Sequence, residues 1–340
     1  MSIMNKGKKI LVTGGCGFIG SNLIEFWLRK DPNVTIVLFD KLTYAANLSF
    51  LEMIQRENPK RVDFIKGDLC DKEAAKIALK GCDVVYHLAA ETHVGKSNLQ
   101  GDLFIVSNIM GTYTLLEATR EVAPQAKIVV VSSAEIYGSL AQNEKLFIEN
   151  ISWPKPQSIY AATKCSVEHL AYCMNFLYNL DITVVRLFNN FGPRQHPEKV
   201  IPRFICRAIN KIPLEIEGDG FATRDWIFVE ETCLALYKLA FVKLDNFEII
   251  NIASQAEVSI LKIAEFILHY FSLNKEIYLK HVEERQGNVH RHFASNEKMC
   301  RLLGMQIKIG FFERLEELIE WYKRNIDHLS LDSYTRKIEQ

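Results

Sequence analysis

Charge of either sign is missing in excess: 41 Lys and Arg stand against 41 Asp and Glu, a formal net charge of zero. Without a basic surplus to neutralise phosphates, a dedicated DNA or RNA binder is not expected. Without an acidic surplus a disordered solvating tail is not expected. The eight cysteines (16, 70, 82, 165, 173, 206, 233 and 300) include no C-x-x-C pair. Neither a zinc knuckle nor a redox motif is therefore indicated, and no metal site is expected. No run approaches the ~20 apolar residues that a membrane span needs. The opening MSIMNKGKK is polar and lacks the apolar stretch of a secretory signal. Repeats and low-complexity segments are also missing. These absences lead to the expectation of a soluble, cytoplasmic protein with no membrane partner and reduced, mostly buried thiols. What is present is ordinary for a globular protein, with 48% apolar residues, and 340 residues suffice for a large core in two lobes.

In the first half, short apolar runs alternate with longer amphipathic ones. Strands are expected at Lys9–Thr13, Val34–Asp40, Val62–Asp68, Val84–Leu88, Ile128–Ser133 and Thr183–Leu187. Their apolar content is nearly continuous, as in strands covered by helices on both faces. Helices are expected at Phe18–Arg29, Lys72–Leu79, Ile105–Arg120 and Ile159–Leu177. The order predicts an α/β fold with a doubly wound parallel sheet. From about Asn189, prolines and glycines break the chain into shorter pieces, with helices at Pro202–Asn210, Glu230–Leu244, Ile260–Phe271 and Phe311–Asn325. This reads as residues 1–188 forming a cofactor lobe and 189–340 mainly a smaller, mixed α/β substrate lobe. Segments near 222–255, with strand candidates Trp226–Val229 and Glu248–Ile252, return to the first.

The first strand runs into Thr13-Gly14-Gly15-Cys16-Gly17-Phe18-Ile19-Gly20, with glycines at 14, 17 and 20. In such a turn the first glycine permits the bend, the second lets backbone approach a pyrophosphate, and the third lets the helix pack close. The helix start then presents free N–H groups to anionic oxygens. Asp40 ends the second strand twenty residues after Gly20, as a dinucleotide fingerprint requires. Its carboxylate can accept from both ribose hydroxyls and repels a 2′-phosphate, which favours NAD over NADP; the adjacent Lys41 argues the other way. Asp68, ending the third strand, is a candidate for the adenine edge.

Two further segments carry chemistry. One is Ser132-Ser133-Ala134-Glu135-Ile136-Tyr137-Gly138 after the fifth strand, the other Tyr160-Ala161-Ala162-Thr163-Lys164. On a helix Tyr160 and Lys164 share a face. An ammonium near a phenol favours the phenolate, so Tyr160 can take a proton from a hydroxyl as hydride leaves the same carbon. Ser133 can hydrogen-bond that oxygen, Lys164 can also bond a nicotinamide ribose, and Glu135 is a second acid/base candidate.

These residues resemble the extended short-chain dehydrogenase/reductase (NAD-dependent epimerase/dehydratase) superfamily, and within it most of all the dTDP-glucose 4,6-dehydratases. The resemblance runs from Lys9 to about Asn325. It includes TGGCGFIGSN, LTYAANLSFLE, GDLCD, HLAAETHVGKS, SNIMGTYTLLEA and YAATK. RLFNNFGPRQHPEKVIPRFI, GDGFATRDWIFVEE and ERQGNVHRHFASNEKMCRLLG complete it.

The resemblance implies a Rossmann-type fold and a cycle on a nucleotide-diphosphate sugar. Tyr160 would deprotonate the 4-hydroxyl as hydride goes to NAD, and Glu135 would remove the C5 proton. The 6-hydroxyl would leave as water, and the hydride would return at C6. NAD would stay bound, in the service of deoxysugar and polysaccharide biosynthesis. Phe18, Ile19, Lys41, Leu69, Leu88, Ala89 and Ala90 would join the glycines, Asp40, Asp68, Tyr160 and Lys164 around the cofactor. Thr92, Ser133, Ala134, Glu135, Asn189 and Asn190 would meet the substrate. Lys199, Val200, Pro213, Glu215 and Ile216 would line its pyrophosphate and base pocket, Arg224 and Arg285 would neutralise the pyrophosphate, and Asn288 would sit near the base. A homodimer is implied through helices matching Asp102–Arg120 and Ile159–Leu177.

The chain departs from this pattern twice. The dTDP-glucose enzymes have a Thr-Asp-Glu motif where this chain has Ser133-Ala134-Glu135, so the Asp that protonates the leaving hydroxyl is missing; water, Ser133 or Glu135 could replace it. Gly95 and Lys96 stand where those enzymes tend to have an Asp-Arg pair. A 4-epimerase, a UDP-glucuronate-type decarboxylase and a non-catalytic sugar-nucleotide-binding regulator remain as rival readings.

Overall fold

A computed structural model describes residues 7–141, 144–244, 247–284 and 288–325. Its strands are β1 (Lys9–Thr13), β2 (Thr35–Asp40), β3 (Val62–Lys66), β4 (Val84–His87), β5 (Lys127–Ser133), β6 (Ile182–Leu187), β7 (Asn189–Phe191), β8 (Leu214–Glu217), β9 (Thr223–Phe228), β10 (Glu248–Ile252), β11 (Glu257–Ser259) and β12 (Leu279–Val282). Seven of them form one parallel sheet in the order β10-β6-β5-β4-β1-β2-β3. The order reverses between β1 and β4, where a crevice opens at the carboxyl ends of the strands.

The continuous apolar runs are explained by two cores, one on each face. Ile10 and Val12 pack with Leu23 and Trp27 of the helix Phe18–Lys30, whereas Leu11 packs with Leu115 of the helix Gly111–Val122 and Val167 of the helix Ile159–Tyr178. Successive residues of a strand point to opposite faces, so a sheet covered twice needs apolar side chains at every position. Each large apolar side chain buried this way contributes ~1.5–3 kcal/mol. A third core joins the helices Val200–Ile209, Ile260–Tyr270 and Phe311–Asn325 to the small sheets β11-β9-β7 and β12-β8.

Three expectations change in the structure. Of the two strand candidates expected to return, Glu248–Ile252 is the outermost strand beside β6, but Trp226 to Phe228 belong to β9, which pairs with β7 and β11. The element beyond β9 that packs on the large lobe is the helix Val229–Leu239, against Phe18–Lys30. Second, the helix expected at Ile105–Arg120 begins as a π-helical stretch, Ile105–Met110, before Gly111–Val122. There the buried Asn108 side chain reaches the Glu91 backbone (2.8 and 3.1 Å) and Thr163 Oγ1 (3.0 Å), so tertiary hydrogen bonds hold the widened turn. Third, the thiols are all free, but only Cys16, Cys82, Cys206 and Cys233 are buried, and Cys70 and Cys173 are exposed. No helix among the described residues is long and apolar enough to cross a membrane.

Candidate active site

A cavity of about 510 Å³ runs from the glycine turn after β1, past the end of β5, to β8, β9 and the helix Val200–Ile209. At its cofactor end Gly14 adopts φ +68°, and a Cβ there would meet the Ala89 backbone at 2.8 Å. A Cβ on Gly20 would stand 2.3 Å from the Gly14 carbonyl oxygen. Close backbone contact thus requires both glycines. Gly17 is the N-cap of Phe18–Lys30 and puts no side-chain cap on the first N–H groups, which leaves them for an anion.

Asp40 is held in place by backbone: its carboxylate accepts from Cys16 N (2.9 Å) and Leu42 N (2.7 Å), and burial raises its pKa. Lys41 pairs with Asp68 at 2.6 Å, so its charge is compensated by that carboxylate rather than left for a 2′-phosphate. The arrangement fits a dinucleotide with free ribose hydroxyls. Phe18, Ile19, Leu69, Leu88, Ala89 and Ala90 line the same end.

The helix Ile159–Tyr178 starts where Ser158 caps Ala161 N at 3.1 Å. Tyr160, Lys164 and Glu168 follow at four-residue intervals and are all buried. Glu168 is clamped by Arg186 of β6 through Nε (3.0 Å) and Nη2 (2.7 Å), so the clamp locks the helix register. The Lys164 ammonium donates to the Val131 carbonyl at 2.8 Å, and burial lowers its pKa to about 8 against the opposing pull of Glu168. Burial pushes the Tyr160 phenol up to about 12; a hydrogen bond with Ser133 pulls it down and the Glu135 charge pushes it up. The lysine is thus anchored on backbone; the phenol is lowered by Ser133 rather than by the expected ammonium, and desolvation outweighs that lowering.

Ser133 Oγ also accepts from Glu135 N at 3.2 Å, which fixes the short 3₁₀ turn Ala134–Tyr137. Ser133, Ala134, Glu135, Tyr160 and Lys164 all border the cavity, as do Thr92, Asn189, Asn190, Lys199, Val200, Glu215, Arg224 and Asn288. Arg224 donates to Asn288 Oδ1 at 3.2 Å, and Lys199 lies 3.4 Å from Glu198. Gly95 and Lys96 lie on the short helix Val94–Leu99, where the Lys96 ammonium sits 3.9 Å over the Tyr44 ring.

Two of the expected substrate residues lie elsewhere. Ile216 is fully buried with Leu214 in the third core, because β8 alternates and turns only Glu215 and Glu217 to the cavity. Pro213 is not a lining residue; its carbonyl accepts from Arg207 at 2.7 Å. Arg285 lies outside the described residues. Sequence reasoning missed several lining residues, among them Ser107, Ser132, Gln195 and Glu198. All four lie within the strings that carry the resemblance or within the segment after the fifth strand, but no spacing singled them out.

The chain matches the family described as GDP-mannose 4,6 dehydratase across residues 11–325. It is 36% identical to the dTDP-glucose 4,6-dehydratase of Haemophilus influenzae, over 93% of this chain and 98% of that one. It is 35% identical to the low-salt glycan biosynthesis protein Agl12 of Haloferax volcanii, over 92% and 98%. The crystal structure of DesIV, a dTDP-glucose 4,6-dehydratase from Streptomyces venezuelae with NAD and TYD bound, superimposes with a TM-score of 0.88 at 30% identity, covering 95% and 99%.

Proposed function

The chain belongs to the GDP-mannose 4,6 dehydratase family of extended short-chain dehydrogenase/reductases, and from that premise we propose how it works. It is an NAD-dependent nucleotide-sugar 4,6-dehydratase, a lyase that forms a 4-keto-6-deoxy sugar. One observation carries the reading: Ser133, Glu135, Tyr160 and Lys164 border the same cavity as the glycine turn and Asp40. The chemistry that bound NAD would supply is reversible hydride exchange, at C4 and then at C6, so no net redox change would result.

The protein's own residues do the rest. Tyr160 takes the proton of the 4-hydroxyl while Ser133 hydrogen-bonds that oxygen. The C4 ketone acidifies C5–H, and Glu135 removes this proton as the 6-hydroxyl departs. Lys199 and Arg224 serve the pyrophosphate, with Asn189 and Asn190 between it and the sugar. In this reading residues 1–188 chiefly hold the cofactor and residues 189–340 chiefly hold the sugar nucleotide.

The test is mass spectrometry of products from dTDP-glucose, UDP-glucose, UDP-N-acetylglucosamine and GDP-mannose. The wild type should yield a product lighter by one water from at least one of them. Glu135→Gln should lower that yield by about 10²–10⁴-fold, the usual worth of a positioned acid/base, while leaving any C4 epimerisation in place. No dehydrated product across the panel would overturn the reading.

We also propose a homodimer. Leu99, Leu103, Ile105, Val106, Met110 and Tyr113 are exposed, as are Tyr172, Phe176 and Leu177 on the adjoining helix Ile159–Tyr178. Exposed apolar side chains gathered on adjoining helices support a protein interface. Light scattering should give twice the chain mass, and Phe176→Lys should shift it toward the monomer. The free thiols support a reducing compartment, the cytoplasm.

A further inference from the structure

His292 is completely buried and packs edge-on against Phe147 and Phe188. Its Nε2 lies 2.8 Å from the carbonyl oxygen of Gly138. A carbonyl only accepts, so Nε2 carries the proton. Burial, reinforced by the positive charge of Arg224, lowers the imidazole pKa to about 4, against the opposing effects of Glu135 and the Gly138 hydrogen bond. The ring is neutral at pH 7, and Nδ1 bears a lone pair.

That Nδ1 has no hydrogen-bond partner among the described residues, and it lies 3.8 Å from Oε1 of Glu135. A lone pair facing an ionised carboxylate makes no hydrogen bond. Facing a carboxylic acid, it accepts one. A buried acceptor left unpaired is costly, and this one stands beside the side chain that gains a proton during turnover.

We infer that His292 is a positioning residue for the elimination step, its Nδ1 accepting a hydrogen bond from Glu135 once Glu135 has taken the C5 proton. The inference rests on the dehydratase reading. In the step, the C5–H bond breaks, its proton goes to Glu135 and its electron pair forms the C5–C6 double bond. The C6–O bond breaks, and the departing oxygen takes the proton from Glu135 and leaves as water, which restores the carboxylate. The buried Ala134 has no proton to give; in this inference Glu135, rather than water or Ser133, returns the proton to the leaving oxygen. Between the two transfers Nδ1 stabilises the protonated side chain.

Substitutions separate the acceptor from the anchor. His292→Gln keeps an N–H for the Gly138 carbonyl but removes the acceptor at Nδ1. His292→Asn offers an amide oxygen near the place of Nδ1. The holoenzyme is mixed in deuterium oxide with a nucleotide sugar that the wild type dehydrates. Two rates are read: cofactor reduction by absorbance, which reports C4 oxidation, and deuterium entry with water loss by mass spectrometry, which reports the C5–C6 step. His292→Gln should slow the C5–C6 step about tenfold, roughly one hydrogen bond, with C4 oxidation within twofold of wild type. His292→Asn should recover most of that loss. Elimination at the wild-type rate in His292→Gln overturns the inference, as does an equal loss in both rates, which marks a merely structural role. A wild type that dehydrates none of the panel removes the underlying reading instead.

Discussion

Tyr160→Phe is expected to lower turnover by about 10²–10⁴-fold while leaving the fold intact. The phenol hydrogen-bonds Ser133 and shares a helix face with Lys164. Its replacement removes a single oxygen from a buried ring, a change of about 1 kcal/mol in stability. The loss should therefore fall on the first half-reaction: cofactor reduction on mixing with substrate should be suppressed as strongly as product release. Circular dichroism and the denaturation midpoint should remain near wild type. The phenol is pushed up to about 12 by burial, so it is protonated at neutral pH. Lys164, at about 8, is mainly an ammonium there. Ligand binding must supply the remaining stabilisation of the phenolate. A Tyr160→Phe protein that keeps more than a tenth of the wild-type rate would reassign the proton transfer to another group.

The largest effect on stability is expected from Arg186→Leu, about 3–5 kcal/mol, because it leaves Glu168 buried without its partner. The pair is almost completely buried, with a 2.7 Å contact between Nη2 and the carboxylate. The guanidinium also donates to Tyr137 Oη at 2.7 Å and to the Glu149 carbonyl at 3.2 Å. Arg186 thus ties β6 to the helix of Tyr160 and Lys164 and to the segment after β5. A urea titration of Arg186→Leu, Glu168→Leu and the double variant checks the claim. The double variant should be more stable than Arg186→Leu, since two apolar groups leave no buried charge. It should stay below wild type, because Tyr137 and Glu149 still lose a donor. Equal stability of Arg186→Leu and wild type would mean that the clamp contributes nothing.

The two predictions differ in how far the sequence alone reaches. The Tyr160–Lys164 spacing is local, and a helix puts the two on one face whatever surrounds it. The Arg186–Glu168 clamp joins a strand to a helix, and nothing in either segment announces it. The same division runs through the site. The glycine turn and Asp40 were legible because a short strand–turn–helix–strand unit makes them. The pairing of Lys41 with Asp68 was not, because it depends on β2 and β3 lying side by side. Ile216 was misplaced for a related reason: a motif string ignores the alternation of a strand.

The parallel sheet, the cofactor turn and the Tyr160 helix are all written into local stretches of the chain. Each rests on short-range spacing and on apolar runs that only a doubly covered sheet can bury. Tertiary structure alone decided that β9 leaves the large sheet, that Glu215 rather than Ile216 meets the cavity, and that His292 stands against Glu135. His292 is bonded to a carbonyl 154 positions away in the chain. Such contacts come from the packing of whole layers, and no local periodicity encodes which distant side chains those layers bring together.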